Sequence, residues 1–375
     1  MIGNLAGFDL CWYKERMITR ERISEWAEEQ GFDAVGVATA DEALHRPAFD
    51  RWLAAGHHGD MAWLARNPSR RADPRQVVDG ARSVIMFSLS YFTEEPDPVY
   101  WNDPARGRMA RYAWGPDYHE VMLPRLMRIK ERIEADGHGA RAYVDTGPLL
   151  ERTWAAQAGL GFIGRNALLI RPTAGSFSFL GGIICSLDLA PDPPATEGGA
   201  RLGKGNCGAC TRCLTACPTG AFAAPYVVDS RRCISYLTIE LKRSIPVELR
   251  PQMGNWIYGC DVCQEVCPWV RRFSQPGRTR FVAFDLDRFC PSLTELMQLD
   301  DDGFRARYRD TPIRRTKRRG LLRNAAVALG NGGGREALPV LRAALSDPEP
   351  LIQTHAAWAI EQIEQRDGTA RGLHP

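Results

Sequence analysis

The first half of the chain alternates short apolar runs with stretches of helical periodicity. Apolar residues that recur at helical spacing predict helices at Ile18–Glu29, Tyr118–Ala135 and Leu149–Ala158. Short apolar runs predict strands at Ala34–Ala38, Ser83–Ser90, Ala142–Val144 and Phe179–Leu187. This order of elements predicts a domain of α/β or α+β type that ends near the prolines Pro191, Pro193 and Pro194.

The C-terminal part of the chain carries a second helical pattern. Two turns, Gly330-Asn331-Gly332 and Ser346-Asp347-Pro348, separate amphipathic stretches at Leu321–Leu329, Ala337–Leu345 and Leu351–Ile363. This layout is similar to one HEAT-type helical pair with a flanking helix. With a cysteine-rich segment between the two patterns, we predict an α+β protein with three domains, at 1–195, 196–285 and 286–375.

Composition excludes several classes of protein. The 375 residues are 44% hydrophobic and 25% charged, which excludes wholesale disorder and collagen-like repetition. No run reaches the roughly 18 apolar residues of a membrane span, and Asp9, Lys14 and Glu15 interrupt the start of the chain where a signal peptide would be apolar. We therefore expect a cytoplasmic protein with no membrane partner. The net charge of +3 is too small to predict a nucleic-acid partner by itself.

Seven of the eleven cysteines form two runs, C-x2-C-x2-C-x3-C-P and C-x2-C-x3-C-P. In such runs three thiolates converge on one 4Fe-4S cluster, and the last cysteine, carried away by the turn at the proline, joins the other cluster. The rule predicts two ligand sets, which are Cys207, Cys210, Cys213 and Cys267 for one cluster and Cys217, Cys260 and Cys263 for the other.

The second set then lacks one ligand. Cys233, Cys290 and Cys185 are the candidates, and Cys233 lies between the two runs. Structural zinc is the alternative to clusters, because zinc takes four thiolates at comparable spacing. The prolines and the paired runs favour clusters. Since two clusters transfer electrons but bind no ordinary organic substrate, we expect the chemistry in the N-terminal half.

Asp145 is the main candidate in that half. It follows a predicted strand and precedes a helix, a position where α/β sheets place reactive groups, and the alternative role is a helix cap. Two other motifs are weaker. The glycines of Gly159–Gly164 match G-x-G-x-x-G but follow a helix rather than a strand. Asp117-Tyr118-His119 begins like a cobalamin-ligand motif, D-x-H-x-x-G, but Met122 replaces its glycine, so we interpret it as an ordinary helix start.

A dense basic stretch precedes the C-terminal helices. No acidic residue interrupts it, and it is long enough for several phosphate contacts, so it favours nucleic acid over the alternative of a solvated helix face. The residues predicted to contact RNA are Arg314, Arg315, Lys317, Arg318, Arg319 and Arg323.

Together these motifs resemble the epoxyqueuosine reductase family over nearly the whole chain. The resemblance rests on Val144–Pro148 with Glu151-Arg152, on Ala158–Asn166, on the double cysteine runs, on Arg232–Thr238, and on Pro312–Arg315 with Gly320–Asn324. It implies an oxidoreductase of queuosine biosynthesis that reduces epoxyqueuosine to queuosine at the wobble position of tRNA. The alternatives are a reductive dehalogenase-like enzyme and a ferredoxin-type electron carrier.

The resemblance also implies cofactors, partners and site residues. A cobalamin-binding catalytic domain, a ferredoxin-like domain with two 4Fe-4S clusters and a HEAT-like tRNA-binding region would follow in that order. Cys233 would complete the second cluster, and Asp145 would be the proton donor. The corrin-binding residues would be Arg71, Arg111, Asp145, Gly161, Asn166 and Ser235. We further expect an external low-potential electron donor and a monomeric chain, and assign no role to Cys11, Cys185 or Cys290.

Overall fold

The computed structural model describes residues 17–94, 96–194, 206–277 and 283–371. Cys11 and the predicted domain boundary between residues 195 and 196 lie outside these ranges.

The strands are short except for two of the sheet strands. In chain order they are β1 (Ala34–Thr39), β2 (Ser83–Ser90), β3 (Arg108–Met109), β4 (Ala140–Tyr143), β5 (Phe162–Ile163), β6 (Leu169–Ile170), β7 (Ser178–Cys185), β8 (Phe222–Ala224), β9 (Val227–Val228) and β10 (Trp256–Tyr258).

The α-helices lie between and after these strands. In chain order they are α1 (Arg20–Glu29), α2 (Arg46–Ala54), α3 (Ala62–Ala65), α4 (Pro68–Ala72), α5 (Pro98–Trp101), α6 (Tyr118–Ala135), α7 (Glu151–Gln157), α8 (Arg212–Ala216), α9 (Val262–Glu265), α10 (Pro268–Phe273), α11 (Leu286–Phe289), α12 (Leu293–Leu296), α13 (Asp301–Tyr308), α14 (Lys317–Gly332), α15 (Leu338–Ala343) and α16 (Pro350–Arg371). A π-helix covers Tyr236–Glu240, and short 3-10 turns complete the chain.

A four-stranded sheet in the order β1-β2-β7-β4 organises the N-terminal half. Every residue of β2 is buried, because helices cover both faces of the sheet. Successive side chains of a strand point to opposite faces. Ile85 and Phe87 therefore share a core with Met122 and Leu126 of α6, whereas Met86 packs with Trp154 of α7 on the other face.

The sheet is antiparallel throughout, which corrects the α/β-type prediction for this domain. β1 pairs antiparallel with β2, β2 with β7, and β4 with β7. An α/β-type sheet would have parallel strands, and periodicity does not report which strands pair. Asp145 does follow the end of β4, but the rule about the carboxyl ends of parallel strands does not account for its position.

Residues of all three predicted domains share one continuous core. It includes Ile85 of the sheet, Ile234 and Ile257 of the cysteine-rich part, and Leu322 and Ile352 of the C-terminal helices. In addition, β10 pairs in parallel with β3 of the N-terminal half. The three segments therefore pack as one body, and the domain boundaries stay predictions.

The predicted C-terminal helices are present as α14, α15 and α16. Two of the basic residues assigned to RNA contacts anchor this region instead. Arg323 is 1% exposed and donates hydrogen bonds to the carbonyl oxygens of Leu237, Leu241 and Arg243. Arg318 is paired with the Asp347 carboxylate and also donates to the Leu299 carbonyl oxygen at 2.6 Å.

These contacts leave Arg318 and Arg323 few donors for a phosphate, so they argue against the two predicted RNA contacts, which stay predictions. A run of basic residues usually marks a solvated surface, but these two side chains pack against other parts of the chain.

No α-helix within the described ranges combines the length and the apolarity needed to cross a bilayer.

Candidate functional site

Asp145 lies in a strained turn between β4 and α7. Its φ is +45°, a left-handed conformation that residues other than glycine rarely adopt. The side chain is 48% exposed. The capping alternative is wrong, because α7 begins at Glu151, six residues later, after Leu150 and without a side-chain cap. The turn therefore presents the Asp145 carboxylate instead of using it to start a helix.

Two side chains from the first turn of α6 hold the Asp145 carboxylate. The Tyr118 hydroxyl donates to Asp145 Oδ2, and His119 Nε2 lies 2.7 Å from Asp145 Oδ1. The other ring nitrogen, His119 Nδ1, lies 2.9 Å from Oδ1 of Asp117. Asp117 caps α6 as the interpreted helix start requires, since it accepts the His119 backbone N–H. The imidazole thus lies between two carboxylates.

This arrangement keeps a proton on His119. Burial disfavours the imidazolium, but hydrogen bonds with Asp117 and Asp145 outweigh burial and raise the pKa of His119 to about 9. Burial opposes ionisation of Asp117 as well, yet the hydrogen bond with His119 and the charge of Arg315 lower its pKa to about 2. At neutral pH His119 is a cation and Asp117 an anion.

Arg315 completes the cluster from the C-terminal part of the chain. Its Nη2 donates to both oxygens of Asp117, at 2.8 and 2.9 Å. Its guanidinium also lies over the Tyr118 ring, 5.4 Å from the centroid. Because Asp117 is 1% exposed, this pair is shielded from solvent on one side. The structure pairs Arg315 with Asp117, and its predicted RNA contact stays a prediction.

Two further carboxyl groups surround the same turn. Burial, reinforced by the charge of Asp145, raises the pKa of Glu151 to about 8. Glu151 Oε1 is buried and has no hydrogen-bond partner among the described residues. Burial and Asp145 also raise the pKa of Glu240 at the end of the π-helix, against the charges of Lys242 and Arg315. His119 and Glu151 therefore both favour their protonated forms at neutral pH.

Arg71 supports the Asp145 turn, and its predicted corrin contact stays a prediction. Its Nη1 donates to the carbonyl oxygen of Gly147 at 3.1 Å, and Nη2 donates to that of Trp63 at 3.2 Å. Its Nε is buried without a partner among the described residues. Arg71 therefore keeps one donor available beside the turn.

Sequence reasoning missed Tyr118, His119, Asp117 and Arg315 as members of the Asp145 site. Their interpretation as a helix start is correct but incomplete. The motif Asp117-Tyr118-His119 is apparent in the sequence, and three polar or ionisable side chains at the start of one helix are a signal for a functional site. Which loop those side chains face depends on packing across 26 residues for His119 and 198 residues for Arg315.

The first predicted cysteine set lines one cavity of about 140 Å3. Cys207, Cys210, Cys213 and Cys267 all face it, and Asn166 and Trp269 complete part of its wall. The backbone N–H of Arg165 donates to Cys207 Sγ at 3.4 Å, a contact that stabilises a thiolate. Burial raises the pKa of Cys213 and Cys267, so a cation is needed to keep these thiols ionised. An iron-sulfur cluster fits these requirements.

The second set surrounds a neighbouring position. Burial, followed by the charges of Cys233, Asp261 and Cys217, raises the pKa of Cys263 well above its usual range. Burial and the charges of Cys263 and Cys233 raise the pKa of Cys260 in the same way. These mutual effects place Cys233 with the other three, and the effect of Cys213 on Cys263 places the two sets side by side.

The remaining free thiols lie elsewhere. Cys185 is buried in β7 and Cys290 is buried after α11, where its Sγ is 3.5 Å from the carbonyl oxygen of Tyr100. Within 17–94, 96–194, 206–277 and 283–371, no three His, Cys, Asp or Glu side chains are arranged to hold a single metal ion.

The Arg111 side chain is enclosed by other parts of the protein. It is 2% exposed, its Nη1 donates to Glu265 Oε1 at 2.7 Å, and its backbone N–H donates to Asp261 Oδ2. The guanidinium also lies over the rings of Trp114 and Phe177. The predicted corrin contact of Arg111 stays a prediction. Arg111 neutralises Asp261, whose buried carboxyl has a pKa raised to about 6 despite that neighbour.

The other predicted corrin residues occupy different places. A Cβ on Gly161 would lie 2.3 Å from the carbonyl oxygen of Ile170, so this glycine permits close packing of the hairpin of β5 and β6. Asn166 lines the first cysteine cavity. Ser235 follows Cys233, and its backbone hydrogen-bonds to that thiol. Corrin contacts for these residues stay predictions.

Comparison with known proteins adds to this geometry. Residues 71–146 match the family described as "Epoxyqueuosine reductase QueG, DUF1730", and residues 206–270 match a "4Fe-4S double cluster binding domain". The epoxyqueuosine reductase of Pseudomonas aeruginosa is 40% identical over 348 residues, which cover 91% of this chain and 94% of that protein. The chain belongs to the epoxyqueuosine reductase family.

Two solved structures of epoxyqueuosine reductases are similar over their length. One contains an epoxyqueuosine-modified tRNA-Tyr stem loop, and it matches with a TM-score of 0.81 and 30% identity over 92% of this chain and 90% of that one. The other, from Bacillus subtilis, has an aspartate-bearing catalytic loop swung out of the active site. It matches with a TM-score of 0.80 and 30% identity over the same shares of the two chains.

Substitution of Cys233 tests whether it is the fourth cysteine ligand of the second set. We expect Cys233→Ser to lose one of two clusters, because the thiol that faces the second set is removed. Iron and acid-labile sulfide in anaerobically prepared protein should fall from about eight to about four atoms per chain. Cys290→Ser, which removes another buried thiol, should keep about eight. Loss of iron in the Cys290 variant but not in the Cys233 variant would contradict the placement.

Proposed function

We propose that this oxidoreductase reduces epoxyqueuosine to queuosine in tRNA. The observation that carries the proposal is the Asp145 cluster in a member of the epoxyqueuosine reductase family that also carries eight grouped cysteines. The reaction opens the epoxide, forms a carbon–carbon double bond, and releases the oxygen as water. It consumes two electrons and two protons, so the protein must supply both.

Two 4Fe-4S clusters would supply the electrons. Cys207, Cys210, Cys213 and Cys267 would hold one cluster and Cys217, Cys233, Cys260 and Cys263 the other. Because the two sets adjoin at Cys213 and Cys263, electrons can pass from one cluster to the next. The second set is connected to the active site by the π-helix, which begins three residues after Cys233 and ends at Glu240.

Asp145 would protonate the departing oxygen. An alkoxide is a poor leaving group, so epoxide opening needs an acid within hydrogen-bond reach. The half-exposed Asp145 carboxyl would act at the substrate. His119 contacts Asp145 directly and holds a proton at neutral pH, so it would restore the proton that Asp145 transfers. Asp117 and Arg315 would act as positioning residues for His119.

Cobalamin would bind beside Asp145 and His119. Arg71 Nε and Glu151 Oε1 are buried polar atoms without partners among the described residues. The amide groups at the rim of a corrin both donate and accept hydrogen bonds, so these two atoms fit such a ligand. When bound, cobalamin supplies the two-electron reducing power at its cobalt.

The surface that contacts RNA would include fewer of the predicted basic side chains, together with Lys242, which was not predicted. Lys317 is exposed and Arg319 half-buried, and neither makes an ion pair within the described parts of the chain. Lys242 lines a crevice with Arg319, and burial together with the charges of Arg323, Arg319 and Lys317 lowers its pKa. Such crowded cations are stabilised by phosphate. Arg314, 50% exposed, would extend this surface.

The proton-donor role is tested by Asp145→Asn. We expect the rate of queuosine formation in a single turnover with prereduced protein to fall by at least about a hundredfold, because the amide has no proton to give at neutral pH. Nucleosides from digested tRNA are measured by mass spectrometry. An unchanged rate would remove Asp145 from this role.

The same assay as a function of pH separates His119 from Asp145. In the wild type the rate should fall as the pH rises through about 9, because His119 is protonated below its raised pKa and neutral above it. His119→Gln should be slower at neutral pH and lack this step. A step that persists in the variant would show that another group titrates.

The RNA surface is tested by reversing Lys317 and Arg319 to Glu together. We expect tRNA affinity to fall tenfold or more and the salt dependence of binding to lose a slope of about two, because two phosphate contacts are removed. The control is the double variant Arg82→Glu/Arg141→Glu, at the opposite end of the sheet from Asp145, which changes net charge equally. Equal losses in both variants would contradict a local contact.

A further inference from the structure

The two cysteine sets differ in their position relative to Asp145. Next to the first set, Gly208, Ala209 and Arg212 are exposed, as is Pro268 after Cys267. Next to the second set, Ile234 and Asp261 are buried. Pro218 and Arg232, beside Cys217 and Cys233, are exposed as well. The two sets are instead distinguished by the π-helix, which follows Cys233 and ends at Glu240, a residue close enough to Asp145 to interact with its charge. The second set therefore lies on the Asp145 side, and we call the first set the outer one.

Arginines surround this outer set. Arg165 and Arg212 line the cavity with its four cysteines. Arg271 and Arg272 are exposed on α10, four and five residues after Cys267. The three segments that form the surroundings, at 163–171, 206–217 and 267–273, contain no Asp or Glu. We call this surface, made by Arg165, Arg212, Arg271 and Arg272, the outer basic rim.

Two arginines of the outer basic rim have no acidic partner among the described residues. Arg212 and Arg271 are exposed and make no ion pair within the described ranges. Arg165 donates one bond to the carbonyl oxygen of Gly208, at 2.7 Å, and its Nε has no partner among the described residues. Nearby exposed cations without acids repel one another and favour an acidic partner.

From this we infer that the outer basic rim is the docking surface for an acidic protein electron carrier, which reduces the Cys207 set directly. The inference rests on the proposed function because it requires clusters in both cysteine sets. Each encounter transfers one electron: the carrier is oxidised, and the outer cluster is reduced. Two encounters supply the two electrons that one epoxide consumes.

RNA is the other polyanion that a basic surface can bind. The outer basic rim is a poor match for it, because Arg165 and Arg212 line the cavity of the first cysteine set and not the turn that carries Asp145. Lys242, Lys317 and Arg319, in contrast, lie near Glu240 and Arg315 of the active site. The positions of the two basic surfaces therefore indicate different partners.

The test measures reduction of the clusters by stopped-flow absorbance in anaerobic protein carrying its iron. The donor is a reduced, acidic plant-type [2Fe–2S] ferredoxin. In the variant Arg212→Glu/Arg271→Glu we expect the second-order rate constant to fall at least about tenfold, and its dependence on ionic strength to weaken. Reduction by photoreduced 5-deazariboflavin, which is uncharged, should keep its rate.

Controls separate the rim from the rest of the protein. Arg82→Glu/Arg141→Glu should leave the ferredoxin rate unchanged at the same net charge. Arg212→Gln/Arg271→Gln should give an intermediate loss, and it decides the question if the Glu variant fails to retain iron. Because the readout is cluster reduction, failure to act on tRNA would affect the proposed function alone.

Two results would overturn the inference. One is an unchanged ferredoxin rate in both rim variants with full iron content. The other is a rim variant that keeps its ferredoxin rate but loses tRNA affinity, which would assign the outer basic rim to RNA.

Discussion

The buried carboxylate of Asp117 is the constraint on which the active site depends. A carboxylate that is 1% exposed is costly unless its oxygens are paired. Asp117 meets this need with the start of α6, with His119 and with Arg315. These partners come from distant parts of the chain. The pairing therefore fixes the imidazole that contacts Asp145 and connects the C-terminal region to the same point.

A comparable constraint applies to the two cysteine sets. Burial keeps a thiol neutral unless a cation stabilises the thiolate, and the fold collects eight buried or half-buried thiols into two adjoining sets. One continuous core joins these sets to the sheet and to the C-terminal helices. Arg323 strengthens that junction with three hydrogen bonds to carbonyl oxygens around the π-helix. The Asp145 site and the two cysteine sets are thus joined by one continuous core.

Local features were predictable from the sequence because they depend on neighbours along the chain. The apolar run at Ser83–Ser90 and the helical period at Tyr118–Ala135 match the structure at both ends. Cysteine spacing also separated seven ligands into the two groups that the structure brings together. The choice of Cys233 required the family resemblance, because spacing left three candidates.

Long-range features were not predictable in this way. Strand pairing does not follow from periodicity, so the antiparallel sheet was missed. The contacts of Arg315, Arg318 and Arg323 could not be predicted, because tertiary packing determines their partners. These partners are Asp117, Asp347 and backbone carbonyl oxygens, respectively. A charged run predicts a surface only when no such partner is near. His119 was visible in the sequence, but its contact with Asp145 was not.

The central claim is that electrons held by the two cysteine sets are consumed at the Asp145 site. The most direct measurement mixes prereduced protein, containing cobalamin and freed of excess reductant, with epoxyqueuosine-modified tRNA. Queuosine is quantified by mass spectrometry and reduced clusters by electron paramagnetic resonance. The account predicts two electrons lost from the clusters for each queuosine formed when the cobalt begins and ends the turnover in the same oxidation state. Under that condition, queuosine formed without cluster oxidation, or clusters oxidised without queuosine, would contradict it.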